Sequence, residues 1–128
     1  LAVKVRSRMS SSPTRWVNRT GLPVKVYGRG GSITTLEPSS TTARVELDAI
    51  ERTVVNVLGS EIETIDQHLG RVVDLPDPTE DVGVIVTSAV AGAARTNRDD
   101  LWVPHDLIPD DRDAGISCRS LIRLIRSD

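Results

Sequence analysis

Between Thr14 and Leu36 apolar positions come in short, alternating runs: Trp16 and Val17, then Val24, Val26 and Tyr27, with turn residues between them. A two-residue period is that of half-buried strands, and it predicts strands near 15–19, 23–28 and 32–37. The cluster Gly28-Arg29-Gly30-Gly31-Ser32 offers the positive φ angles of a hairpin turn, and Pro38-Ser39-Ser40 ends the third strand. Residues 42–47 alternate again, Asp48 and Ala49 predict a bend, and then Thr53–Leu58, Gly59-Ser60 and Glu61–Ile65 form two β-branched runs around a glycine turn. Leu47, Ile50, Val54 and Val57 also recur at helical spacing. A helix over 46–56 is therefore the competing reading, opposed by Thr53-Val54-Val55, whose branched side chains are poor helix interior.

Asp66 to Gly70 reads as a loop, Val72-Val73 as a short strand, and Leu75-Pro76-Asp77-Pro78 as an extended linker whose prolines cannot donate to a ladder. Gly83–Thr87 is a continuous apolar run, as expected of a central strand. One helix is predicted, over about 88–95: Ser88 is placed to cap it, alanines favour it, and Arg95 suits the negative end of its dipole. Leu101–Val103 and Leu107-Ile108 predict strands around Pro104, and Asp110–Gly115 a polar turn returning through Ile116-Ser117-Cys118. Residues 120–126 fit either strand or helix. Residues 1–12, with Lys4, Arg6 and Arg8 before a serine run, predict a flexible basic arm. The expectation is thus a flexible arm, 1–12, and a single mainly β domain, 13–128: a small sandwich or partly open barrel with one short α-helix.

The chain has 128 residues, 38% of them hydrophobic, with no Phe, one Tyr and two Trp, so its core must be aliphatic. Its formal charge of −2 conceals an uneven distribution. Residues 1–36 carry seven bases and no acid, whereas 37–113 carry 17 acids against six bases. Opposite charges of this kind neutralise one another within a fold or between subunits. Arginine outnumbers lysine 14 to 2, which suggests a GC-rich source genome. The longest apolar stretch, 82–94, is shorter than the roughly 20 residues of a membrane span. No apolar signal segment follows the N-terminal bases, so a cytoplasmic setting is expected, or a phage particle; Leu1 and Met9 both stand as candidate starts.

Several segments, taken in order, resemble a family of small uncharacterised proteins from actinobacteria and their phages. They are Val17-Asn18-Arg19-Thr20-Gly21-Leu22-Pro23-Val24, Ala43-Arg44-Val45, Val73-Asp74-Leu75-Pro76-Asp77-Pro78, Val84–Ser88 with the alanine-rich helix, Arg98–Pro104, and Asp110-Asp111 through Gly115-Ile116-Ser117-Cys118-Arg119. The resemblance covers about residues 16–119. It implies a β-rich fold and a bacterial or phage source, and no reaction. Where family members often carry Pro-His, this chain has Gly21-Leu22, so no role of that histidine transfers.

The chemistry-bearing residues are few. Cys118 with His105 or His68 and an aspartate would make a nucleophile site if strand pairing brought thiol and imidazole together; the plainer reading is a small core thiol. Asp66 and His68, or Asp110, Asp111 and Asp113, offer metal-ligand types, but a calcium loop needs a distal glutamate that is absent here, and solvated turn residues explain them better. The glycines at 28, 30 and 31 precede a strand rather than a helix, against a phosphate cradle. No metal or other cofactor is expected. Lys4, Arg6, Arg8, Arg15 and Arg19 would serve a nucleic-acid interface, without the interleaved aromatics that single-strand binders use. Trp16 and Trp102, with Val3 and Val5 of the arm, are the candidate protein-interface residues. The expectation is therefore a non-catalytic accessory or assembly protein working through a protein partner or a homo-oligomer. A nucleic-acid binder and a small Cys/His enzyme are the alternatives.

Overall fold

A computed structural model describes residues 13–94, 98–109 and 114–123. Eight strands and one helix follow one another: β1 (Arg15–Asn18), β2 (Val24–Tyr27), β3 (Ile33–Leu36), β4 (Arg44–Val57), β5 (Ser60–Val73), β6 (Val82–Ile85), α1 (Ser88–Ala94), β7 (Leu101–Leu107) and β8 (Ile116–Ile122). Six of the strands form a mixed sheet in the order β1-β6-β7-β8-β2-β3, and β4 and β5 form a separate two-stranded ribbon. The sheet curls into a nearly closed barrel. Its two edges meet where Asn18 bridges Pro38 and Ser39 N donates to Asn18 O at 2.8 Å. The mainly β class, the barrel-like sheet and the short helix agree with the expectation from sequence, and 46–56 is strand. The basic arm, Arg95 and the Asp110–Asp113 part of the polar turn lie outside the described residues.

Side-chain alternation explains two cores. β6 runs between β1 and β7, parallel to both, and is buried on both faces, which is why its sequence is continuously apolar. Ile85 points into the barrel with Val24 and Cys118, ringed by Trp16, Val26, Leu36, Trp102, Ile116 and Leu121. Val84 and Val86 point the other way, where Val90 of α1, Ala43 and Leu101 complete a second cluster. Gly83 faces inward, and a Cβ there would sit 2.7 Å from the ring of Trp16. The two tryptophans meet edge to face, with centroids 5.4 Å apart.

Four local expectations are corrected. The bend at Asp48-Ala49 is a pair of register shifts within one continuous strand, between Val45 and Leu47 and between Leu47 and Ala49; bulges turn a strand without ending it. Residues 66–70 are strand, not loop, because β4 supplies partners as far as Leu69 and again at Val72 and Val73, including Asp66 opposite Glu51 and His68 opposite Ala49. The helix is capped by Thr87 rather than Ser88, since Val90 N donates to Thr87 Oγ1 at 3.4 Å. The strands around Pro104 are a single strand, β7. β6 accompanies β7 only along Leu101 and Trp102, so among the described residues Pro104 pairs with β8 alone, and a missing N–H is tolerated where a strand is one-sided.

Candidate functional site

Cys118 and His105 do not form a catalytic pair. The Cys118 thiol is fully buried in the barrel interior, and burial pushes its pKa up, against partial relief from backbone hydrogen bonds with His105 and Ser120. A reactive cysteine needs the opposite, an accessible thiolate. The His105 ring is exposed on β7, with Nδ1 3.0 Å from Ser120 Oγ on the neighbouring strand. The adjacent acid, Asp106, pairs with Arg119 at 3.5 Å rather than orienting that ring.

His68 lies on the ribbon with Nε2 3.1 Å from Glu51 Oε1. Among the described residues no three His, Cys, Asp or Glu side chains gather as a metal site, and no helix is long and apolar enough to cross a membrane. Arg15 is exposed, while Arg19 is half-buried and engaged, its guanidinium donating to Thr41 Oγ1. Lys4, Arg6 and Arg8, and with them Val3 and Val5, lie outside the described residues. Trp16 and Trp102 are half-buried members of the barrel core. Trp102 is also covered by Arg123, whose guanidinium carbon stands 4.6 Å from the ring centroid and whose NH1 donates to Asp99 O at 3.0 Å. This stack floors an open, acid-rimmed cleft of about 280 Å³ beside Asp81 and Asp100. Asp100 is held by a two-pronged pair with Arg98, Nε to Oδ1 at 2.8 Å and NH2 to Oδ2 at 2.9 Å, and Arg98 NH2 also donates to Pro76 O. It is a structural clasp between linker and β7.

The feature that stands apart is the β4–β5 ribbon. Each strand has 14 residues, and among the described residues the ribbon packs on the body only at its root, where Val45 and Val72 join the cluster under α1. From Glu46 to Leu69 every residue is exposed. Nine large aliphatic side chains between Leu47 and Leu69 are among them, including Ile50, Val54 and Ile65, each roughly half accessible or more. Cross-strand pairing puts Ile50, Val54 and Ile65 on one face with Arg52 and Glu63, which pair at 3.2 Å, and Val55, Val57 and Ile62 on the other near the tip. A monomer seldom leaves this many large aliphatic side chains of one element in water unless the element has a use. The sequence marks these as hairpin residues but not as exposed ones, because alternation reports periodicity and not whether a core lies beneath it.

A second apolar feature lies at the seam of the barrel. Between the edge strands β1 and β3, Trp16, Val26, Gly28, Thr34, Leu36 and Leu121 line a cleft of about 220 Å³. Here the two edges of the sheet, joined at Asn18 and Pro38, leave the interior accessible. Comparison with protein-family models, with curated proteins and with solved structures returned no match.

Proposed function

We propose that this chain is a non-catalytic accessory or assembly protein, a particle component of the actinobacterial or phage setting its sequence resembles, and that the β4–β5 ribbon is its contact element. The observation that carries the reading is the exposure of the aliphatic residues from Leu47 to Leu69 on an arm that adds nothing to the core beyond its root. Burying such side chains is favourable by roughly 25 cal/mol per Å², and within one chain that gain is not collected. Both outer edges of the ribbon also offer free backbone donors and acceptors, a template for pairing with another chain. The buried, high-pKa Cys118 supports a role without covalent catalysis.

In-cell photo-crosslinking tests the reading. A benzophenone side chain placed at Val54, Leu58 or Ile65 is expected to give discrete protein adducts, with far fewer from Thr79 or Glu80 on the body. Absence of adducts from all three ribbon positions overturns it.

A further inference from the structure

The ribbon ends in Val57-Leu58-Gly59-Ser60, and Leu58 at φ +49° with Gly59 at φ +88° makes the two-residue turn of a tight hairpin. The left-handed region suits glycine and asparagine, whereas a leucine there sets its Cβ against the following carbonyl. Leu58 is also fully exposed. An apolar residue that strains the backbone and buries nothing in its own chain is the pattern of an anchor for another surface.

The same chain carries a receptor of suitable size and polarity. The seam cleft between β1 and β3 is lined by Trp16, Val26, Thr34, Leu36 and Leu121, and its 220 Å³ equals the liquid volume of about seven waters, more than four leucine side-chain carbons require. The charges match as well. Residues 13–36, which supply β1 to β3, carry Arg15, Arg19, Lys25 and Arg29 and no acid; the ribbon carries Glu46, Asp48, Glu51, Glu61, Glu63 and Asp66 against Arg44, Arg52 and Arg71. Its exposure shows that the tip does not occupy the cleft of its own chain. From Glu46 to the tip the arm extends about 36 Å at roughly 3.3 Å per residue, enough to cross to a neighbouring body.

We infer that the partner of the ribbon is a second copy of this chain, with Leu58 at the tip of one protomer seated in the Trp16–Leu36 seam cleft of the next and the acidic arm drawn toward the basic residues of its β1–β3 segment. This rests on the reading of the ribbon as a contact element and names its occupant. A tip and a cleft are different surfaces, so the contact is heterologous and produces rings or chains of subunits.

Sedimentation velocity on the purified full-length chain tests this with two substitutions at exposed positions. Leu58→Asn removes the anchor and supplies the turn residue the backbone favours, so the fold is not put at risk; Thr34→Trp fills the cleft from the β3 edge. Each variant alone is expected to be monomeric at concentrations where the wild type associates, with an unchanged far-ultraviolet spectrum. Mixed one to one, they retain one intact cleft and one intact tip between them, and are expected to form a heterodimer and nothing larger. A wild-type chain that stays monomeric at the highest concentration reached overturns the inference, as does an oligomer that survives Leu58→Asn, or a mixture that fails to pair. Adducts to a different protein from Leu58 in cells, alongside a monomeric purified chain, also overturn it while leaving the ribbon a contact element.

Discussion

Asn18 shows how much one polar residue does at the barrel seam. It is buried, its Nδ2 donates to Leu22 O at 2.7 Å and Leu36 O at 2.9 Å, and its Oδ1 accepts from Thr20 N and Thr20 Oγ1. It therefore ties the β1 end to the β2 entry and to β3, where the sheet would otherwise open. Asn18→Ala removes the side-chain donor to Leu36 O and the acceptor for Thr20 N, while Thr20 Oγ1 still donates to Leu22 O at 3.0 Å, and is expected to cost about 2 kcal/mol in urea unfolding. Cys118 makes a second prediction at this scale. Burial holds the folded thiol above the ordinary value of 9.0, so its contribution to stability is complete below the unfolded pKa. As pH rises past that value the unfolded chain ionises first, and stability falls until the folded thiol ionises too. Thiol labelling at neutral pH is expected to be slow and limited by unfolding, and the decline in unfolding free energy above pH about 9 to shrink in Cys118→Ala. The buried thiol agrees with the plainer sequence reading of Cys118 as a small core residue, whereas the role of Asn18, in a common turn-like run, is not visible in the sequence.

At the scale of elements, the ribbon and the barrel are separable. The ribbon shares apolar packing with the body only through its root residues Val45 and Val72, and Arg71 Nε donates to Glu46 Oε2 at 3.2 Å just beyond them. Replacing residues 47–70 by Asn-Gly keeps that root and closes it with a favoured two-residue turn. The shortened chain is expected to keep its barrel, with a change in unfolding free energy of under about 1 kcal/mol by chemical denaturation, and to lose its self-association. The strands themselves were largely legible: β1, β2, β3, the tip of the β4–β5 hairpin, β6 and α1 follow from alternation, glycine turns and an alanine run. The misread positions share one cause. Asp48-Ala49, Asp66–Gly70 and Pro104 have local preferences for bends and breaks, and the ladder of a partner strand overrode them.

For the molecule as a whole, the uneven charge along the chain acquires a geometry. The basic residues from Arg15 to Arg29 lie on β1, β2 and the turns that follow them, while the ribbon that leaves the barrel is acidic. Charge separated in this way on a body and a projecting arm favours contacts between molecules over neutralisation inside one, and screening by salt is its signature. The sequence alone determined the β class, the hairpin turns, the aliphatic core and the division of charge, because each of these is written in neighbouring residues through side-chain period, backbone freedom at glycine and simple composition. Only the tertiary structure decided which strands became neighbours. The parallel pairings of β1 with β6, β6 with β7 and β2 with β8 join segments far apart in the chain, where no local preference selects a partner. Those pairings bury Cys118 and leave the seam cleft open. With every strand of the barrel already paired, none of the described residues beyond its root covers the β4–β5 ribbon, and so a pattern that reads as ordinary half-buried hairpin becomes an exposed arm.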